Sequence, residues 1–193
     1  MRKKERFVLG KRTFRSQKSK HFVLRIIGEE ICSWHKVHPS VELHIFWDKK
    51  EVLPEVKVDS RLSFHQLNDT LFVRYMAGAR AYATTAGFES VCEAMYLGKP
   101  VLMVPTHIEQ ACNAFDAVHA GAGVIADRFD LDALLQLSQT HQPDLAFSHW
   151  VKQADWLILR EFRPDLLMEE TPASLWHRLS TRWIYRFGKS LSI

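Results

Sequence analysis

The stretch Thr84-Thr85-Ala86-Gly87-Phe88-Glu89-Ser90-Val91-Cys92-Glu93-Ala94 gathers residue types that can hold an anion. It reads as a strand end, a glycine turn and a helix start. A helix start presents unpaired N–H groups and a partial positive charge, and anions bind there. Gly87 lets a ligand approach the backbone closely, and Ser90 adds a hydroxyl in the first turn. Together these favour a phosphate or diphosphate. Glu89 and Glu93 stand four apart, where like charges disfavour an isolated helix by roughly 0.2–0.5 kcal/mol. Glu93 is a full turn too deep to be a simple cap. A carboxylate there can accept two hydrogen bonds from a vicinal diol, as acidic residues do with ribose. Spacing alone leaves the plainer reading, a solvated helix glutamate, open.

The flanking sequence supplies a scaffold for this turn. Phe22-Val23-Leu24-Arg25-Ile26, residues 41–46, Leu62-Ser63-Phe64, residues 81–84, Val101-Leu102-Met103-Val104 and Val124-Ile125-Ala126 read as strands. Helices are expected over 29–37, over 69–77 with Asn68 as cap, and over 89–97 ending at Gly98. Further helices follow over 109–119, closed by Gly121 and Gly123, over 131–137 behind Asp130, and over 145–162. Residues 101–104 are apolar on both faces and belong in the middle of a parallel sheet. The alternation predicts an α/β fold: a doubly wound, Rossmann-like parallel sheet with a C-terminal helical extension. In such sheets ligands bind beyond the carboxyl ends of the strands. Two turns, 84–89 and 105–110, leave such ends and run straight into helices.

The 193 residues, 47% hydrophobic, suffice for one domain with a sizeable core. A net charge of +4 is too weak a bias to imply nucleic acid. Cys32, Cys92 and Cys112 are odd in number and far apart, which argues against a disulfide scaffold or zinc site and suits a reducing cytoplasm. No apolar run approaches the ~18 residues that span a bilayer, and no apolar segment follows the N-terminal charges as in a signal peptide. Residues 1–20, rich in Lys and Arg, read as a basic tail or linker; contact with anionic lipid or a partner is the sharper alternative. Residues 21–162 form the expected domain. Residues 163–193 form an amphipathic helix with Leu175, Leu179, Trp183, Phe187 and Leu191 at intervals of four. Its aromatic face, Trp176, Trp183 and Phe187, must cover the domain, dimerise, meet a partner chain or lie on a membrane.

The run T-T-A-G-F-E-S-V-C-E-A-M-Y-L-G-K-P-V-L-M-V-P-T-H-I-E-Q-A-C-N-A resembles the donor-binding, C-terminal half of GT-B glycosyltransferases, closest to bacterial family proteins with the pattern G-F-x-[ST]-x-x-E … G-K-P-V-L-x-[VI]-P … E-Q … N-A. The match is specific over 84–114 and extends over about 21–162. The resemblance implies that Thr85, Gly87, Phe88 and Ser90 bind the nucleotide diphosphate and that Glu93 binds the ribose. It implies that Glu109 and Gln110 contact the donor sugar, that the loop containing Phe64, His65 and Gln66 grips the base, and that Asn113 and Ala114 serve packing. The expected donor is a nucleotide diphosphate sugar, with uridine as the base. No cofactor or metal is expected: Asp130-Leu131-Asp132 spells the metal motif of another glycosyltransferase fold but sits where carboxylates cap a helix.

Three departures stand out. Many relatives carry histidine in place of Thr85, many carry Asn, Ser or Thr in place of Glu89, and the glycine-rich form usual after the first strand is missing from 22–30. A GT-B enzyme also has two such domains, and this chain has room for the donor half. If active, it is expected to be a metal-independent glycosyltransferase of hexosyltransferase type, with a helix N-terminus stabilising the leaving diphosphate. No base can be placed; His107 reads as a loop residue shaping its turn. The acceptor half would come from a partner subunit, or the chain would pair with itself. The setting expected is cytoplasmic, with peripheral contact at the inner face of the membrane. Two other readings remain: an inactive nucleotide-sugar-binding remnant, and a relative of nucleotide-sugar 2-epimerases.

Overall fold

The computed structural model describes residues 6–10, 28–47 and 54–162. The chain divides into two units, residues 1–144 and 145–193. In the first unit the elements run β1 (Arg6–Leu9), α1 (helical residues 28–37), β2 (Glu42–Trp47), β3 (Glu55–Lys57), β4 (Leu62–Gln66), α2 (Asp69–Gly78), β5 (Ala81–Thr84), α3 (Phe88–Tyr96), β6 (Val101–Met103), α4 (Ile108–His119), β7 (Gly123–Ile125) and α5 (Leu131–Thr140). The described part of the second unit is α6 (Ala146–Phe162), on which the Arg160 guanidinium lies 5.0 Å from the Trp156 ring centroid. Among the described residues no helix is long and apolar enough to cross a membrane.

The strands form one sheet ordered β3-β4-β2-β1-β5-β6-β7. Every pairing is parallel except that of β3 with β4. Setting β3 aside, the sheet starts at its centre with β1, grows outward through β2 and β4, then returns to place β5, β6 and β7 on the other side. That is the doubly wound, Rossmann-like order, and its direction reverses between β1 and β5.

Pleating sends alternate side chains to opposite faces. Phe7, Leu9, Leu43, Ile45, Leu62, Phe64, Ala81 and Ala83 form an apolar face packed with Ile31 of α1 and Leu131 and Leu134 of α5. The other face carries His44, Phe46, His65 and Tyr82, whose rings meet Phe72 and Tyr75 of α2. The helix ends follow local chemistry. The Asn68 side chain accepts from Leu71 N–H at 2.9 Å, and Asp130 accepts from the N–H groups of Asp132 and Ala133 at 3.1 and 3.0 Å. Gly98 takes the left-handed conformation, φ 63°, past the end of α3.

The first strand differs from expectation. Charge count assigns residues 1–20 to a tail, yet Arg6–Leu9 is the central strand, paired with both β2 and β5. Three consecutive apolar residues, Phe7-Val8-Leu9, suffice where a parallel sheet is covered on both faces, and the surrounding Lys and Arg hid them. The strand expected at 22–26, most of the tail and the helix expected over 163–193 lie outside the described residues. The short charged edge strand β3 also went unread. His65 and Gln66, expected in the loop after the strand Leu62-Ser63-Phe64, belong to β4 with it.

Candidate functional site

The reversal of strand order sets Gly10, just past β1, beside the turn that leaves β5. The Gly10 N–H donates to the Ala83 carbonyl at 2.8 Å, extending the ladder by one residue. The turn itself is strained: Ala86 holds φ 63°, a left-handed conformation that costs a side chain about 1 kcal/mol. Asn113 of α4 holds it there, donating from Nδ2 to the Ala86 carbonyl at 3.2 Å. Asn113 therefore does more than pack, while Ala114 is fully buried as expected.

Gly87 is the N-cap of α3 and, having no side chain, makes no side-chain cap bond to that helix. The Val91 N–H donates back to the Gly87 carbonyl at 3.2 Å. Phe88, Glu89 and Ser90 hold the N–H positions at the helix start, the ones an anion can occupy. The Ser90 hydroxyl donates to the Gly87 carbonyl at 3.1 Å and lies 3.5 Å from Thr84 Oγ1. Phe88 is 65% exposed, so its backbone rather than its ring belongs to the turn. Glu89 is exposed and Glu93, one turn along, is half-buried.

The second turn is locked to the first by Gln110. Its Oε1 accepts from the Thr106 N–H at 2.9 Å and the Thr106 hydroxyl at 2.8 Å, while its Nε2 donates to Thr85 Oγ1 at 3.2 Å. Gln110 and Thr85 are both buried. The geometry of Gln110 is thus that of a strut between the turns leaving β5 and β6. Glu109, beside it in the first turn of α4, is exposed at the same carboxyl edge. His107 is the extended N-cap of α4 and makes no side-chain cap bond.

The three residues expected to grip a base stand apart from this group, on β4 with β2 between them and β1. Phe64 and His65 are buried, and only Gln66 reaches the carboxyl end of the strand. His65 belongs to a different polar group. Arg6 Nη2 donates to Glu42 Oε2 at 3.1 Å, and His44 Nε2 lies 3.0 Å from Glu42 Oε1. His44 Nδ1 in turn lies 3.0 Å from His65 Nε2. The carboxylate requires a proton on His44 Nε2, so the pair is satisfied when His65 Nε2–H donates to His44 Nδ1. Burial holds the pKa of both histidines below the ordinary value.

Two residues at the reversal point escaped the sequence reading. Gly10 would have been found by the run Phe7-Val8-Leu9-Gly10, an apolar stretch closed by glycine. The glycine looked for after a first strand at 22–30 stands here instead, directly past β1. Tyr82 carried no signal, because an aromatic in a strand is ordinary. It is fully buried, and a Cβ on Gly10 would stand 2.1 Å from its hydroxyl oxygen. The carboxylates of Asp130 and Asp132 are occupied as well: Asp130 caps α5, and Asp132 Oδ1 accepts from Trp34 Nε1 at 2.8 Å.

A doubly wound, mostly parallel sheet whose order reverses between β1 and β5 defines the Rossmann-like class of domain, with its crevice beyond the carboxyl ends of those strands. The sequence profile described as Glycosyl transferase family 1 matches residues 29–139, and the chain belongs to that family. Solved structures agree on the fold, that of one half of a GT-B glycosyltransferase. The glycotransferase of kitacinnamycin superposes with a TM-score of 0.50 at 15% identity, covering 75% of this chain and 36% of its own. The spinosyn rhamnosyltransferase SpnG, complexed with thymidine diphosphate, gives 0.50 at 19% identity, covering 79% and 41%. A Caenorhabditis elegans protein named "Putative UDP-glucuronosyltransferase ugt-48" is 36% identical over 52 residues, which is 27% of this chain and 10% of that protein. The chain thus spans well under half the length of these relatives.

Proposed function

We propose that this chain is the donor-binding half of a sugar-transferring enzyme, gripping the diphosphate of a nucleotide sugar at the start of α3. The observation that carries this reading is the N-terminus of α3, opening on Gly87 with no side-chain cap bond at the point where strand order reverses. Transfer leaves extra negative charge on the departing diphosphate. Fixed N–H donors aimed there stabilise it without reorganising, and losing one such donor typically costs about 3 kcal/mol. Glu93 clasps the ribose diol, and Glu109 meets the sugar hydroxyls from the first turn of α4. Gln110 holds the two turns in register. Uridine is the proposed base; the name of the nematode relative supports it. Phe88 and Ile108, exposed apolar residues at the first positions of α3 and α4, flank the opening and suit contact with an acceptor-binding half.

Thermal melting with a panel of nucleotides and nucleotide sugars tests this. A ligand at 100 times its Kd adds about 2.7 kcal/mol of stability. Uridine diphosphate compounds should give the largest shift, and Glu93→Ala should lose most of it. A chain that no nucleoside diphosphate stabilises would refute the reading. Sugar transfer by the chain, against binding alone, separates an active half from a module that only holds the donor.

A further inference from the structure

The Tyr82 hydroxyl is a buried polar group at the point where strand order reverses. Its side chain is fully buried, and the oxygen has no hydrogen-bond partner among the described residues. Leaving a buried polar group unpaired carries a cost that a phenylalanine of the same shape would avoid. The oxygen points toward the carboxyl end of β1, where Gly10 makes room for it: a Cβ there would meet the oxygen at 2.1 Å and ring carbons at 2.8 Å. The hydroxyls of Ser90 and Thr84 lie close enough to act on it. Burial pushes its pKa up to about 12, Ser90 and Thr84 pull the other way, and the nearby charge of Glu93 adds to the rise. It is therefore a proton-bearing donor at any ordinary pH. Ser90, meanwhile, spends its only proton on the Gly87 carbonyl at 3.1 Å.

We propose that Tyr82 is a positioning residue for the anion site: its hydroxyl donates to Ser90 Oγ when Ser90 turns its own proton from the Gly87 carbonyl to an oxygen of the bound diphosphate. This rests on the diphosphate reading of the α3 start. The exchange gains one hydrogen bond. Ser90 gives up one backbone bond and makes one to phosphate, while the donor that lacked an acceptor gains one. The relay Tyr82→Ser90→phosphate also polarises the serine hydroxyl, since donors in a chain strengthen one another.

The test is Tyr82→Phe in the full chain, read by thermal melting and by calorimetric titration with uridine diphosphate. A positioning role moves the two readouts in opposite directions. Melting temperature stays level or rises, because the unpaired hydroxyl is gone, while Kd weakens roughly 3- to 10-fold, the range for one hydrogen bond. A merely structural tyrosine would lower both stability and affinity. Ser90→Ala should weaken binding likewise, and adding Tyr82→Phe to it should cost nothing further. An undiminished effect of Tyr82→Phe in the Ser90→Ala background overturns the relay. Wild-type affinity in Tyr82→Phe overturns the inference while leaving the diphosphate site standing. Failure of the wild-type chain to bind any nucleoside diphosphate removes both.

Discussion

Two polar groups share one face of the sheet and end in opposite ways. Under α2, Arg6, Glu42, His44 and His65 form a line across β1, β2 and β4 in which each bond satisfies the next. It ends on an acceptor: His65 Nδ1, bare in this arrangement, faces Glu55 Oε1 of β3 at 3.7 Å. Under α3, Tyr82, Thr84, Ser90 and the first N–H groups of the helix end on donors. A group that ends on an acceptor takes up a proton; one that ends on donors takes up an anion. Sequence position gives no hint of this, since both groups sit on strands of the same covered face. The distinction lies in which way the last hydrogen bond points, and it separates architecture from ligand binding in this molecule.

The largest expected break in the comparison is at Gly10. Gly10→Ala drives a methyl into the Tyr82 ring and hydroxyl, and overpacking of this kind costs about 1–3 kcal/mol. Nucleotide binding should fall with stability, because Gly10 borders the α3 turn. Adding Tyr82→Phe removes the closest contact, at 2.1 Å, but leaves ring carbons at 2.8 Å. Melting temperature should therefore recover only in part. A Gly10→Ala chain that melts and binds like the wild type would show that the crevice is not tight.

Next comes Glu42→Ala, which strips two charged hydrogen bonds from the other group. Arg6 and Glu42 keep side-chain exposures of 31% and 19%, so water compensates part of the loss. The cost should be about 1–2 kcal/mol. The folded protein should bind uridine diphosphate with unchanged Kd, and a tenfold change would mean that the two groups are coupled. Gln110→Ala is smaller in stability, about 1 kcal/mol, because the Thr106 partner is exposed. Its signature is affinity: with the strut gone the two turns drift apart, and Kd should weaken about tenfold.

These residues also show what the sequence made legible. The turn at 84–94 was readable because glycine, serine and glutamate there announce a helix start, and the alternating strands beyond Val41 follow from apolar runs bounded by glycine and proline. Caps at Asn68 and Asp130 were readable because they act within three residues. The reading failed where the partner is remote in sequence. Phe7-Val8-Leu9 is too short to stand out among lysines and arginines, and its role depends on β5, more than 70 residues later. Gln110 looks like a surface ligand-binder until Thr85 and Thr106 are found beside it. His44 and His65 meet only because β2 and β4 are neighbours.

The acid side of the stability profile isolates the acceptor-ended group. Burial depresses the folded pKa of His44 and His65, so their unfolded forms, with pKa near 6.5, bind protons first. Above about pH 6.5 neither state holds the proton and these groups add no slope. Below it the unfolded chain gains protons that the fold resists, and stability falls with pH. Glu42 acts lower down. Burial pushes its carboxyl up, but hydrogen bonds from His44 and Arg6 outweigh that and hold it below the ordinary value. Its contribution is full at neutral pH and is lost as pH falls through the carboxylate range. The charges facing the histidines are Arg6, Glu42, Glu55 and Lys57, with Tyr75 packed against both rings. His65→Gln keeps a donor toward His44 Nδ1 and removes one titration. Melting temperatures at pH 7, 6 and 5 should therefore fall less steeply in this variant than in the wild type. A residual slope should survive from His44 and from His141, which burial also depresses. Over the same window the donor-ended group does not titrate, and the esterified diphosphate of a nucleotide sugar keeps its charge. Affinity of the folded chain for such a compound should then stay level while stability falls. A His65→Gln profile parallel to the wild type, or an affinity that drops together with stability, would erase the separation between the two regions.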